Sequence, residues 1–259
     1  MSEPINRNIT FLKDIAPNLQ IFSLNGTQVP DKWKTFKEVF TQAIKEKNPQ
    51  QCRENISFLL NHPKLSTERV LANLYALFEL SFSELDIKSQ KEIIISLFYI
   101  LGRRPIDGEA SFFSQLLQVK SLKKKPEVLA IVSIVFAIKG YTVNYVGVNP
   151  SKNNEDYQFY LPIFKEFGIE ENIQYLTLIE ARELIINEQI STPTVLVVDE
   201  AETFLAAFNG ATNINPKNII HILGVGVNLN LAPKEKMVAE SLNIGRIVFD
   251  CEKLPALSI

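Results

Sequence analysis

The sequence predicts an α/β protein whose parallel β-sheet carries helices on both faces, preceded by an all-helical N-terminal region. Beyond Pro105, short runs of β-branched residues alternate with helical segments, whereas before it apolar residues recur at helical spacing. Parallel strands joined by helices form sheets that are buried on both faces. We therefore divide the chain into residues 1–104, a helical N-terminal region, and residues 105–259, an α/β domain.

The N-terminal region contains four stretches in which apolar side chains return every three or four residues. The predicted helices are Lys32 to Lys47, Gln51 to Leu60, Thr67 to Leu80 and Ile87 to Leu101, with breaks at Pro49, Pro63 and Gly102 to Pro105. Their aromatic residues are best interpreted as core. A helical-repeat solenoid is a minor alternative, since the sequence shows no convincing fixed-period repeat.

The second region alternates between the two kinds of element. Predicted strands are Thr142 to Val148, Thr194 to Val198, Ile219 to Val225 and Arg246 to Phe249, and predicted helices are Val128 to Lys139, Glu155 to Phe167 and Leu178 to Glu188. In sheets of this kind ligands bind at the carboxyl ends of the strands. Candidate functional residues are therefore sought where strands end.

Composition excludes several classes of function. The chain has 259 residues, 46% of them hydrophobic, and a net charge of -2, so it has a core and no overall field that would attract nucleic acid or an anionic membrane. Neither the two cysteines nor the two histidines have metal-ligand or disulfide spacing. The longest apolar run, Val128 to Ile138, is shorter than the roughly 20 residues that span a bilayer. With no secretory signal at the N-terminus, we expect a soluble, cytoplasmic protein without a membrane span.

One acidic motif suggests chemistry. The apolar strand Val195-Leu-Val-Val ends in Asp199-Glu200-Ala201-Glu202, the form of a Walker B motif. In active motors the aspartate of this motif holds magnesium and the glutamate orients the attacking water. Apolar strands also end in carboxylates for reasons of solvation alone, so the motif gains weight only from its neighbours.

Three further segments carry a family resemblance. The segment from Gln118 to Val132 (QVKSLKKKPEVLAIV) matches the pattern "(E/Q)-(I/M)-K-T-G-E-G-K-(S/T)-L" followed by an apolar helix. The segment from Val148 to Ile169 matches the pattern "VN, six residues, D, then P-x-(Y/F)" with an apolar-Gly-apolar ending. The segment from Leu223 to Asn228 (LGVGVN) matches the pattern "G-(M/L)-(T/S)-G-T". Residues Asn243 to Pro255 resemble the strand before a "P-T-N-R-P" segment. With the acidic motif, these segments resemble the first motor lobe of SecA-type translocase ATPases over roughly residues 90–255.

The resemblance implies a RecA-like lobe with a vestigial nucleotide site at Ser121, Lys125, Asp199 and Glu200. Lys125 falls on the phosphate-binding lysine, and Lys125 and Asp199 should meet at adjacent strand ends. Leu122 and Lys124 replace two glycines, and Pro126 replaces the hydroxyl residue that ligates magnesium. The expected arginine before Asp156 is Glu155. The family's preprotein cross-linking insertion would fall between Phe204 and Asn218, where the sequence leaves room only for a short loop. A second motor lobe is likewise not expected within this sequence.

These losses predict that ATP is not bound tightly. Glycines in a phosphate loop adopt left-handed conformations that aim backbone N–H groups at phosphate oxygens, and Leu122 and Lys124 would each lose about 1–2 kcal/mol there. Pro126 has neither an N–H nor a hydroxyl. Each lost charge-assisted hydrogen bond is worth about 1.5–3 kcal/mol, and every 1.4 kcal/mol is about tenfold in affinity. We expect no cofactor, no metal and no catalytic residue.

The function expected is therefore a non-catalytic protein-interaction module, a pseudo-ATPase whose helical N-terminal region contacts a protein partner. Its composition, rich in Asn, Lys and Ile, would suit an effector that an intracellular bacterium secretes into the host cytosol. The first alternative is a weak ATPase in which Glu200 is catalytic and a partner protein supplies the second lobe. The second is single-stranded nucleic-acid binding through Lys120, Lys123, Lys124 and Lys125, which the neutral charge balance disfavours.

Overall fold

Seven strands lie parallel in one sheet, with the order β1-β7-β2-β6-β5-β3-β4. The structure is a computed structural model, and it describes residues 20–23, 29–62, 66–82, 94, 97, 101, 114–118, 125–211 and 214–249. The strands are β1 (Gln20–Ser23), β2 (Gln115–Gln118), β3 (Thr142–Gly147), β4 (Ile173–Thr177), β5 (Thr194–Asp199), β6 (Ile219–Gly226) and β7 (Arg246–Phe249). The parallel α/β sheet with helices around it, a RecA-like layout, confirms the predicted fold class.

Helices connect the strands and cover both faces of the sheet. In the described part of the chain they are α1 (Val29–Glu46), α2 (Pro49–Asn61), α3 (Thr67–Phe82), α4 (Lys125–Ile138), α5 (Pro150–Phe167), α6 (Leu178–Ile186), α7 (Ala201–Ala206) and α8 (Pro233–Ser241), and a 3-10 turn lies at Glu170–Asn172. Within the described part of the chain, no helix is long and apolar enough to cross a membrane.

Successive residues of a central strand enter two different cores, which explains why the strands read as continuous apolar runs. In β5, Val195 and Val197 belong to the cluster that contains α4 and α5, whereas Leu196 and Val198 belong to the cluster that contains α6, α7 and α8. All four side chains are at most 1% exposed. A strand that is buried on both faces has apolar side chains at successive positions, so its sequence does not alternate between apolar and polar residues.

The N-terminal helices share the first of these cores. Phe36 of α1 and Tyr75 of α3 pack edge to face with ring centroids 5.8 Å apart, in the same cluster as Phe136 of α4. The Lys139 ammonium donates a hydrogen bond to the Leu60 carbonyl oxygen at 3.2 Å. The helical region therefore packs directly on the α4 side of the sheet.

The N-terminal region also supplies a strand, which the sequence did not predict. β1 pairs in parallel with β7, with Gln20 opposite Arg246 and Ser23 opposite Phe249. The described helices α1 to α3 confirm three of the four predicted helices, and the fourth, Ile87 to Leu101, lies outside the described residues except for Ile94, Leu97 and Leu101. The described part of this region is therefore mainly helical and contributes strand β1 to the sheet.

Candidate functional site

The two carboxylates of the acidic motif lie where β5 gives way to α7. Asp199 is the last residue of β5, and Glu200 follows it in a left-handed conformation with φ 54° and ψ 63°. Both side chains are half-buried. The Thr203 hydroxyl donates a hydrogen bond to Oε2 of Glu200 at 3.3 Å. Glu200 is thus turned back toward its own helix and occupies a backbone conformation that costs a residue with a Cβ about 1–2 kcal/mol.

Lys125 and Asp199 lie at the same edge of the sheet, but the prediction that they meet at adjacent strand ends is wrong. β2 precedes Lys125 and β5 ends at Asp199, and both strands are paired with β6, which lies between them. Neighbouring strands are about 4.8 Å apart, so the strands β2 and β5 are separated by roughly twice that distance. The sequence placed both residues at the carboxyl edge correctly and missed the strand between them.

Helix α4, which follows the lysine-rich sequence before Lys125, begins with residues unsuited to phosphate. Lys125 is the first residue of α4, Pro126 is the second, and Glu127 is an acidic residue in the first turn. Glu127 and Pro126 are half-buried. The predicted site residue Ser121 lies outside the described residues, as do Lys120, Lys123 and Lys124, and of Lys125 only the backbone is described. The first turn of α4 thus contains a proline and a carboxylate.

Most matched positions in the segment from Val148 to Ile169 have roles in local structure. The Asn149 side chain accepts hydrogen bonds from the backbone N–H groups of Ser151 at 3.0 Å and Lys152 at 3.2 Å, and thereby caps α5. Gly168 ends α5 with φ 63°, and the N–H of Ile169 reaches back to the carbonyl of Phe164 at 3.0 Å. Helix capping therefore explains why an asparagine begins the segment and a glycine ends it.

Asp156 is a matched position that capping does not explain. Burial raises the pKa of its carboxyl group above the ordinary value, and the negative charges of Asp199 and Glu155 raise it further, whereas the Lys152 ammonium lowers it. The carboxylates of α5 and of the end of β5 therefore act on one another.

A group of tyrosines beneath α5 adjoins these carboxylates, and the sequence reasoning missed it. The rings of Tyr145 on β3 and Tyr175 on β4 stack with centroids 4.2 Å apart, and Tyr157 of α5 meets Tyr175 edge to face at 5.3 Å. Burial raises the pKa of Tyr145, and the Asp199 charge raises it further. The tyrosine group follows from the register of β3 and β4, in which Tyr145 and Tyr175 lie opposite one another.

Cys52 and His221 behave as packing groups, whereas His62 is exposed. Burial raises the pKa of the Cys52 thiol and lowers the pKa of His221, whose ring lies 5.7 Å from that of Phe136. Across the described ranges, no three His, Cys, Asp or Glu side chains are grouped so that they could hold a metal ion. Cys251 lies outside the described residues.

Comparison with known proteins does not assign the site. No protein-family model matches the chain, and no curated protein matches it.

Proposed function

We propose that the chain is a non-catalytic protein-interaction module built on a nucleotide-binding type of lobe that no longer holds nucleotide. The observation that carries this proposal is the first turn of α4, where Pro126 and Glu127 follow Lys125 at the carboxyl edge of the sheet. The resemblance of the sequence to SecA-type motors supports a nucleotide-binding ancestor for this lobe. The structure adds the arrangement of residues at the carboxyl edge of the sheet.

The first turn of α4 works against phosphate in two ways. The N-terminus of a helix attracts anions because its free N–H groups and its dipole are positive there. Pro126 removes one of those N–H donors, and the Glu127 carboxylate places a negative charge in the same turn. The loss of one charge-assisted hydrogen bond weakens binding by about 1.5–3 kcal/mol, which is about tenfold to a hundredfold in affinity, and repulsion by Glu127 adds to that loss.

Partner binding is proposed to use the N-terminal helices. Phe58 of α2 is 68% exposed, and its ring lies 5.8 Å from that of His62, so an aromatic pair faces solvent on this region. Interfaces concentrate their binding energy in a few buried aromatic or apolar anchors. Met237 of α8 is 60% exposed, similar to Phe58, and lies outside the N-terminal helices. It therefore serves as a matched control.

A residual ATPase is the second candidate, and one observation favours it. Glu200 keeps a left-handed backbone conformation at the end of β5, and strained residues of this kind cluster at functional sites. A partner protein would then have to supply the missing lobe. This candidate predicts measurable nucleotide binding, which the interaction module does not.

Calorimetry and partner capture separate the two. With millimolar magnesium-ATP, the intact chain should give no saturable heat and no phosphate release above background. A tagged chain should capture a protein partner from cytosol, Phe58→Ala should weaken that capture at least tenfold, and Met237→Ala should leave it unchanged. Micromolar binding of magnesium-ATP that Lys125→Ala abolishes would overturn the proposal in favour of the ATPase.

A further inference from the structure

The segment between β6 and α8 crosses the carboxyl edge of the sheet, and we name these five residues, Val227–Leu231, the strap. Its two backbone anchors are side chains from the neighbours of β6. The N–H of Val227 donates to Oε1 of Glu202 on α7 at 3.1 Å, and the N–H of Leu229 donates to Oε1 of Gln118 at the end of β2 at 3.1 Å. The strap is thus tied on both sides of the strand from which it emerges.

Two leucines seat the strap in the core. Leu229 is 1% exposed and Leu231 is 5% exposed, and both belong to the cluster beneath α7 and α8, whereas Asn228 and Asn230 face solvent. Gly226 permits this close approach, because a Cβ at that position would lie 2.6 Å from a methyl group of Leu229 and would also meet the Glu202 carboxylate. The strap therefore lies directly on the end of β6.

The strap lies across the edge where an α/β sheet of this kind binds its ligands. β6 runs between β2, which leads to Lys125, and β5, which ends at Asp199. The two anchors therefore tie the strap to the elements on either side of β6.

Neither anchor belongs to the sheet ladder. Both acceptors are side-chain oxygens, and the parallel pairing of β6 with β2 and with β5 ends at Gly226 and Val225 respectively. The strap can therefore leave its seat without breaking a strand-to-strand hydrogen bond. Opening of the strap costs these two hydrogen bonds and the burial of Leu229 and Leu231, whereas opening of the strands beside it would also break strand-to-strand hydrogen bonds.

We propose that the strap is a closure that opens as one unit, is held shut by Gln118 and Glu202, and controls access to the carboxyl edge. In the open form, the core surface against which Leu229 and Leu231 pack becomes exposed, together with the end of β6. Because the two anchored amides are separated by a single residue, the loss of either anchor frees both. This inference makes no use of the proposed partner and stands independently of it.

Amide hydrogen exchange of the full chain tests the closure. Gln118→Ala and Glu202→Ala should each speed the exchange of both the Val227 and the Leu229 amides, roughly tenfold for the loss of one hydrogen bond. The amides of Leu223 and Val225 in β6 should keep their wild-type rates. An apolar fluorescent dye should bind the double variant more strongly than the wild type, because the leucine seats open.

Two matched variants keep the test interpretable. Glu202→Gln retains an acceptor oxygen and should keep wild-type exchange, and Asn228→Ala removes only the hydrogen bond that its side chain accepts from the Asn230 N–H at 3.2 Å within the strap. If each alanine variant speeds only the amide that lost its acceptor, the strap is not a unit and the proposal fails. It fails equally if the β6 amides accelerate as much as the strap amides. Should Glu202→Ala not fold, the effect of Gln118→Ala on the distant Val227 amide decides the matter.

Discussion

The Asn153 side chain lies directly over Gly147, filling the space that a Cβ at position 147 would need. Gly147 ends β3, and Asn153, in the second turn of α5, is 7% exposed. A Cβ at Gly147 would come within 2.8 Å of Cγ of Asn153 and closer still to its carbonyl oxygen. The Asn153 amide meanwhile donates to the Leu176 carbonyl at 3.0 Å, which ties α5 to β4.

Gly147→Ala should therefore lower the free energy of unfolding by about 1–3 kcal/mol, since the new Cβ displaces Asn153 and leaves a buried carbonyl without its donor. In an Asn153→Ala background the same substitution should be nearly neutral, because the clashing side chain has gone. Urea unfolding of the four proteins measures the coupling. Equal losses in both backgrounds would show that Asn153 is not the cause.

Asn149→Ala should cost about 1 kcal/mol of stability, because the side chain caps α5 by accepting two backbone N–H groups. Asn154→Ala is the matched control, since Asn154 is exposed inside the same helix and should change stability by less than about 0.5 kcal/mol. Thermal unfolding compares the two. A cost that is the same for both variants would remove the capping explanation for this position.

Asp156 and Glu180 should give opposite pH dependences. Burial raises the pKa of Asp156 in the folded chain, so its charged form destabilises the fold above that pKa, and the effect disappears as pH falls below the unfolded value. Hydrogen bonds from Thr177 lower the pKa of Glu180, so its stabilising contribution is present above the unfolded pKa and is lost as pH falls through the folded one.

Asp156→Asn should thus stabilise the protein at pH 7, and Glu180→Gln should destabilise it. Both differences should shrink as the pH is lowered toward 3, because the wild-type carboxyl groups become protonated as pH falls through their pKa values. Urea titrations at the two pH values measure them. Two variants that shift stability in the same direction at pH 7 would contradict the assigned causes.

Substitutions at Glu200 can separate the cost of its left-handed backbone conformation from any role of its carboxylate in ATP hydrolysis. Glu200→Gly should raise the free energy of unfolding by about 0.5–1 kcal/mol, because glycine adopts φ 54° without steric cost, whereas Glu200→Ala keeps the Cβ and should give no such gain. Glu200→Gln should leave stability within about 0.5 kcal/mol and partner capture unchanged. Loss of partner capture in a Glu200→Gln variant that is still folded by circular dichroism would favour the ATPase.

The sequence predicted elements well where local signals were strong. β7 was predicted from Arg246 to Phe249 and has those bounds, and the start of α6 at Leu178 was also predicted correctly. That helix begins with a capping box, in which Thr177 and Glu180 exchange hydrogen bonds between side chain and backbone. α8 offered a comparable signal, a proline at its first position with an acidic residue in the first turn, and it was overlooked.

The elements and relationships that were missed depend on distant partners. β1 and β2 are each four residues long; β1 pairs with β7, and β2 lies between β7 and β6 and pairs with both. The separation of Lys125 from Asp199 likewise comes from β6, which follows both residues in sequence and inserts between their strands. Local periodicity contains no information about that insertion. The candidate site was therefore placed at the correct edge with the wrong spacing.

The pairing of β1 with β7 has a consequence for how the protein is made. A ribosome adds about 5–20 residues per second, so roughly ten seconds or more separate the synthesis of Gln20 from that of its partner Arg246. Until β7 emerges, β1 has no neighbour and β2 can pair only with β6. An unpaired strand edge is a template for aggregation. This side of the sheet is therefore where a nascent chain most needs a chaperone.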